Sequence, residues 1–277
     1  VVSGSESTKK VSPLKKKSIV ITGSTRGIGL GLANEFLKRG CQVTINGRSK
    51  QSVARALEDL QRDNNPGEIA GGVGDVSDPA THQALWGTTV DSFGQVDIWI
   101  NNAAIGHPLE MIWELPVEII HQVVDINLKG LIFGSQTAVQ GMLQQGFGHI
   151  YNMEGAGSRG RIYAGVSLYG TTKAALRYFS DALKSESRDI SVKVSTLNPG
   201  MVVTDLVLGQ YEDDPQGLED IKRILNMIGD KVETVTPWLV EQILRNDKTG
   251  ANINWLTPSK LMYRFATARF KNRDLFS

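Results

Sequence analysis

The stretch "SIVITGSTRGIGLGLANEFLKRG", Ser18 to Gly40, decides the fold. It opens with a short β-branched run, "SIVI", the composition of a strand buried on both faces. It then turns on glycines and continues with Ile28, Leu32 and Phe36 at helical spacing, with Gly40 as a fitting C-terminal stop. The turn itself, "TGSTRGIG", runs from Thr22 to Gly29 and joins strand to helix. Gly23, Gly27 and Gly29 let the backbone turn tightly and approach a pyrophosphate, which the helix N-terminus favours. The spacing is Gly-x-x-x-Gly-x-Gly rather than Gly-x-Gly-x-x-Gly.

Outward from this unit, the same alternation repeats. "CQVTING" reads as a strand and "SKQSVARALEDLQRD" as a helix. "IAGGVGDV" is a strand, and "DPATHQALWGTTVDSF" a helix with Asp78 as N-cap and Pro79 at its first position. "VDIWINNAA" is a strand, followed by a long helix from Pro116 to about Met142. "HIYNME" is a strand, "LYGTTKAALRYFSDALKSESR" a helix and "SVKVSTLNPG" a strand. Apolar strands alternating with amphipathic helices imply an α/β fold, a single Rossmann-like, doubly wound parallel sheet with helices on both faces. The ligand crevice should lie beyond the carboxyl ends of the strands. The rhythm breaks after Val202. "LGQYEDDPQG" is polar and punctuated by Gly and Pro, and "LEDIKRILNMIG" reads as a short amphipathic helix. This segment, about 202–235, is expected to be a lid over substrate. "TPWLVEQILR" then reads as a helix and "ANINWLT" as a last strand.

Length and composition agree with one such domain over 17–277. The chain has 277 residues, 40% of them hydrophobic, and a net charge of +1. That charge makes no case for nucleic acid. One cysteine, Cys41, excludes an internal disulfide, and four scattered histidines offer no metal-ligand spacing, so no metal is expected. No apolar run approaches the ~20 residues of a membrane helix. Residues 1–16 read as a disordered arm or an artificial remnant, and Lys15 to Lys17 as a solvated basic run.

Two regions carry the chemistry. The second strand ends "ING" followed by Arg48, with no carboxylate to bind a ribose 2′-hydroxyl, and Arg26 sits in the glycine loop. Two guanidiniums suit a 2′-phosphate, so the expected cofactor is NADPH/NADP+. Further on, Tyr169 has Lys173 four residues later, on one face of a helix. An ammonium there stabilises a phenolate and lowers a phenol pKa of about 10, so the pair can exchange a proton near neutrality.

"TGSTRGIG", "NNAA", "DIN", "YGTTK" and "NPG" occur in the order and spacing of the short-chain dehydrogenase/reductase family, which the chain resembles from about Lys17 to Thr257. The resemblance implies hydride transfer between NAD(P)H and a carbonyl or alcohol. It implies Tyr169 as general acid/base, Lys173 as its electrostatic partner and cofactor-ribose ligand, and Asn127 as the holder of a relay water. It places Gly23, Ser24, Thr25, Arg26, Gly27, Ile28 and Gly29 around the pyrophosphate, and Asp75 and Val76 beside adenine. Asn102, Ala103 and Ala104 would contact the central cofactor, Pro199, Gly200 and Val202 its nicotinamide side, and Thr204 the carboxamide or the phosphates. A homo-oligomer, dimer or tetramer, follows from the same resemblance.

One departure stands out. The family's fifth strand ends near "N-[IV]-S-S", and the second Ser bonds the substrate oxygen. Here Asn152 is followed by Met153, Glu154, Gly155, Ala156 and Gly157. The donor is missing at Gly155. Ser158, Ser167 or the turn's own N–H groups are its candidate replacements. "HIYNMEGAGS", "NPGMVVTDLVL" and "WLTP" resemble the chlorophyll b reductase branch of the family. That resemblance implies reduction of the C7-formyl group of chlorophyll(ide) b to a hydroxymethyl group. It also implies a tetrapyrrole-binding surface at Glu154, Gly155, Ala156 and Gly157, with the small residues clearing space for a wide ring, and a chloroplast or photosynthetic-cell location. The alternatives are a reductase of another aldehyde or ketone, or a non-catalytic protein that senses NADP(H) or binds tetrapyrrole. The C-terminal stretch, with Met262, Phe265 and Phe270 among five basic residues, suits either peripheral contact with a membrane or antenna protein, or an ordinary packed helix.

Overall fold

The computed structural model describes residues 16–63, 65–268 and 273–276. Among them, β1 (Ser18–Ile21), β2 (Gln42–Gly47), β3 (Glu68–Val73), β4 (Ile98–Asn101), β5 (Gly148–Met153), β6 (Val192–Asn198) and β7 (Asn252–Asn254) form one sheet in the order β3-β2-β1-β4-β5-β6-β7. Every pairing is parallel. The chain winds outward from β1 in one direction, then returns to start again at β4. The switch point between the ends of β1 and β4 is where an open α/β sheet takes its ligand.

Strand alternation decides which helices cover which face. Ile19, Ile21, Val43 and Ile45 point to one side, where they meet Leu32 and Phe36 of α1 (Gly27–Lys38), Val53 of α2 (Lys50–Arg62) and Leu239 of α9 (Val232–Arg245). Val20, Trp99 and Ile150 point to the other, against Leu85 of α3 (Pro79–Phe93) and Met142 of α5 (Gly130–Gln145). α6 (Ser167–Glu186) lies on that second side. Asp78 caps α3 by accepting from Ala80 N–H, and Gly40, at φ 76°, ends α1 as its spacing implied.

The structure alters several sequence expectations. The long helix is α4 (Val117–Val124), a π-helical turn over Asp125–Lys129, and α5. The wide turn carries Asn127 inward, where its amide donates to Ile105 O (2.9 Å) and accepts from Ile105 N–H (2.8 Å). After β6 the chain forms α7 (Asp205–Leu208) and a 3-10 turn (Gly209–Tyr211), for which no element was expected, before α8 (Pro215–Ile228). α9 starts at Val232 rather than Thr236, so Pro237 lies inside it. The Thr236 hydroxyl donates to Val232 O (3.0 Å) just ahead of the missing proline N–H. Lys16 pairs with Glu68 and Lys17 O accepts Gln42 N–H, so the chain is tied to the sheet from residue 16; the arm expected before it lies outside the described residues.

The C-terminal helix α10 (Pro258–Ala268) packs on α8. Asp230, between α8 and α9 with its side chain 5% exposed, accepts from Arg264 (2.7 and 2.8 Å), Arg273 (3.1 Å) and Trp255 Nε1 (2.6 Å). Two of the basic residues of this stretch, for which either peripheral contact or ordinary helix packing was expected, are therefore spent inside the fold. Met262, Tyr263 and Phe265 remain exposed, and Phe270 lies outside the described residues. No helix among the described residues is long and apolar enough to cross a membrane.

Removing one side of a buried ion pair leaves the other uncompensated. Asp230→Asn is therefore expected to destabilise the protein by about 2 kcal/mol, discounted for the partial exposure of Arg273. The urea midpoint checks it; an unchanged midpoint would contradict this anchoring role.

Candidate active site

The glycine turn after β1 is held by Asn46, which motif reading does not single out, together with Thr22 and Asn102. Asn46, at the end of β2, accepts Gly23 N–H (3.1 Å) and donates to Gly74 O (3.1 Å). Thr22 Oγ1 accepts from Asn102 N (3.0 Å) and Ala103 N (3.1 Å). The Asn102 amide donates back to Thr22 O (2.9 Å) and Gly23 O (3.0 Å). Buried polar side chains at the ends of apolar strands were the available signal. The glycines are required physically. Gly23 has φ 61°, and a Cβ there would fall 2.7 Å from Ala103 Cα; one at Gly29 would fall 2.5 Å from Gly23 O. Ser24 is buried, its hydroxyl donating to Ile21 O (2.6 Å) and accepting Asn46 N–H (2.9 Å), so its side chain serves the fold.

The remaining residues expected on the cofactor side lie in this turn and after the carboxyl ends of the strands. Thr25 and Ile28 are half-buried, and Gly27 takes φ 56°. The Thr204 methyl lies 3.6 Å from where a Gly27 Cβ would stand, so the segment after β6 closes onto the loop. Pro199 and Val202 are buried and Gly200 turns at φ 73°. Asp75 accepts from Ser77 N (2.9 Å) and Oγ (2.8 Å), Val76 is buried beside it, and Ala104 is half-buried. Arg48 is exposed. Among the described residues Arg26 pairs with Asp205 at 3.4 Å, both well exposed. Such a pair contributes at most about 1 kcal/mol, so Arg26 can leave it for a phosphate at little cost. The cradle, the helix N-terminus and the two arginines together fit a dinucleotide bearing a 2′-phosphate.

At the other end, α6 faces the carboxyl end of β5. Tyr169 and Lys173 are buried, at 8% and 3% exposure. Lys173 Nζ donates to Met153 O (3.1 Å) and stands 5.7 Å from the Tyr169 ring centroid. Burial lowers the Lys173 pKa to about 8, against a smaller upward pull from Glu154. Burial raises that of Tyr169, contrary to the lowering expected from its lysine neighbour. Desolvation is the cause of that rise, and Lys173 directs its own hydrogen bond to Met153 O. The result is a neutral phenol, the form a general acid needs.

Gly155 lies against the reacting pair: a Cβ there would stand 2.6 Å from Tyr169 Oη and 3.3 Å from Lys173 Cε. The space a side chain would take is filled by the tyrosine itself, which corrects the expectation that Gly155 clears room for a ring. Gly157 is structural as well: at φ 93°, its Cβ would fall 2.6 Å from Gly170 Cα. Ala156 is exposed. Glu154 is fully buried and bonded to Arg159, Arg177, Asn198 and Asn252, so it has little left for a substrate. Two of the candidate replacement donors bond each other, as Gly155 N–H donates to Ser158 Oγ (3.0 Å). Ser158 lines a cavity of about 640 Å³ with Arg159, Arg177, Asn252 and Asn254. Ser167 is exposed at the start of α6. The Asn127 side chain, committed to Ile105 and Thr172, leaves any relay role to its backbone.

Two loops meet above Tyr169. His107 Nε2 accepts Tyr169 N–H (3.3 Å), and a Cβ at Gly165 would stand 3.4 Å from the Leu109 carbonyl. These loops expose Met111, Ile112, Trp113, Ile162 and Tyr163, a rim of apolar surface. Gln210, in the segment expected to be a lid, approaches the first of these loops: its amide lies 2.8 Å from a Cβ position on Gly106.

Residues 17–215 match the family described as short chain dehydrogenase. The chain is 36% identical over 268 residues to the probable chlorophyll(ide) b reductase NYC1, chloroplastic, of Oryza sativa subsp. japonica, covering 91% of this chain and 52% of that protein. It is 33% identical over 269 residues to the chlorophyll(ide) b reductase NOL, chloroplastic, of Arabidopsis thaliana, covering 92% and 76%. The chain spans about half the length of the NYC1 relatives it matches. Among solved structures, a variant of actinorhodin polyketide ketoreductase with NADPH superposes with a TM-score of 0.76 at 23% identity, covering 88% of this chain and 97% of that one. The closed form of a serine dehydrogenase complexed with NADP+ gives 0.74 at 24%, covering 87% and 95%. These structures share the fold, and the sequence matches settle the lineage: the chain belongs to the short-chain dehydrogenase family.

Proposed function

We propose that this oxidoreductase uses NADPH to reduce the C7-formyl group of chlorophyll b, or of its phytol-free form, to a hydroxymethyl group. The similarity that carries this reading covers 91% of the chain, so it continues past residue 215, where the family match ends and substrate-facing segments begin. The exposed apolar rim beside Tyr169 suits a flat, largely apolar substrate. The plant relatives are named chloroplastic, and a chloroplast location belongs to the same proposal.

NADPH, when bound, supplies the hydride that adds to the formyl carbon. Arg26 and Arg48 would hold its 2′-phosphate, and the turn from Gly23 to Gly29 its pyrophosphate. Tyr169, neutral through burial, gives its phenolic proton to the formyl oxygen as that oxygen gains negative charge. The carbonyl C–O π bond becomes a C–H and an O–H bond, and one solvent proton later restores the phenol. Lys173 stabilises the phenolate left behind and hands it the restoring proton, which reaches the lysine from solvent through a water that the Asn127 backbone would hold. With Gly155 in the donor position, Tyr169 carries the oxygen without a serine beside it. An aldehyde is electrophilic enough for that arrangement.

Mixing the protein with NADPH and chlorophyllide b is expected to remove the formyl-dependent visible band. Tyr169→Phe should abolish that change and leave the NADPH Kd within about twofold, since a single phenolic proton acts mainly in the chemical step. Turnover of simple aldehydes but not of the pigment would favour another carbonyl substrate. No turnover of any carbonyl despite tight NADPH binding would favour a sensor. Gly155→Ser is expected to displace the Tyr169 hydroxyl and lower kcat by about tenfold or more, because small misplacements of a reacting group are costly. Unchanged kcat would contradict the close contact.

A further inference from the structure

Glu154 occupies the first of the two positions where the family carries its serine pair. Its side chain is 0% exposed. Oε1 accepts from Arg177 Nη1 (2.7 Å) and Asn252 Nδ2 (3.2 Å); Oε2 accepts from Arg159 Nε (3.3 Å) and Asn198 Nδ2 (3.3 Å). A buried carboxylate is costly unless its lone pairs are taken by charged or polar donors, and here four donors take them.

The cluster is aligned with the catalytic pair. Tyr169, Lys173 and Arg177 recur every four residues, so α6 presents them in a row on one face. Each meets one residue of the β5 end: Tyr169 faces Gly155, Lys173 bonds Met153 O, and Arg177 bonds Glu154. The carboxylate and the catalytic ammonium are thereby fixed to consecutive residues, both out of water.

The charges facing this spot are Tyr169, Lys173 and Arg177 from α6, Glu154 from the β5 end and Arg159 from the following loop, with Asp181 on Arg177 Nε at 2.8 Å. Both arginines oppose Glu154, but their side chains are 34% and 45% exposed and so are screened by solvent. Glu154 and Lys173 are both buried and much less screened.

We propose that Glu154 is a positioning residue for catalysis: its fixed negative charge keeps Lys173 an ammonium beside Tyr169. The effect on turnover rests on the reductase reading above; the effect on Lys173 does not. The upward pull of Glu154 on Lys173, against the lowering by burial, agrees with the geometry.

The test is a pH titration of protein carrying 13C-lysine, with the Lys173 signal identified by its loss in Lys173→Arg. Glu154→Gln preserves shape and removes charge. It is expected to move the Lys173 titration to lower pH by on the order of one unit. The alkaline limb of NADPH-dependent turnover should move with it, and Glu154→Asp should restore both. A Lys173 titration unchanged in Glu154→Gln would overturn the proposal, even if activity fell. If that variant does not fold, Arg177→Leu removes a cation from Glu154 and should raise the Lys173 titration; no rise would equally overturn it. A protein that reduces no carbonyl would sink the proposed function while leaving the NMR titration decisive for Glu154.

Discussion

The packing of one face of α6 against the carboxyl end of β5 is the contact on which the chemistry depends. Tyr169, Lys173 and Arg177, one helical turn apart, meet Gly155, the Met153 carbonyl and Glu154 in turn. The fit tolerates little change. A side chain at Gly155 would strike the phenol, and one at Gly157 would strike the backbone of Gly170. The pair of small residues that looked like a broken motif is what lets helix and strand end approach closely enough to bury the phenol and the ammonium together. Burial then sets their states: a phenol held neutral and a lysine brought down to about 8.

The cofactor end obeys a similar constraint, met by different means. β1 and β4 must end side by side for a crevice to form, and the glycine turn must pass within contact of Ala103. Asn46, Thr22 and Asn102 tie the turn to three strands, so that a flexible sequence becomes a fixed one. Fixed backbone N–H groups at a helix N-terminus bind an anion without paying ordering entropy at the time. The exposed, weakly held arginines are the adjustable part.

Most of the fold was legible because burial on both faces makes parallel strands plain apolar runs, as in "SIVI" and "SVKVSTL", and glycine or proline marks nearly every boundary. The catalytic pair was legible because Tyr169 and Lys173 share a helix, where spacing fixes geometry. What spacing could not supply was contact between distant segments. Arg159, Arg177, Asn198 and Asn252 converge on Glu154 from a loop, a helix and two strands, and local periodicity carries no trace of that. The π-helical turn at Asp125–Lys129 was equally invisible, since its driving contact, Asn127 with Ile105, spans 22 residues. Proline inside α9 misled the boundary because Thr236 bonds Val232 O locally.

A buried phenol and ammonium, set beside a 2′-phosphate-compatible cradle and an apolar rim, are what the proposed reduction of a large aldehyde requires. The most direct measurement is the fate of the hydride. Chlorophyllide b incubated with the protein and NADPH deuterated at both C4 positions should yield a product with one deuterium on the C7 hydroxymethyl carbon, read by mass spectrometry. A hydroxymethyl product without deuterium, or recovery of unchanged pigment, would contradict direct hydride transfer at this site.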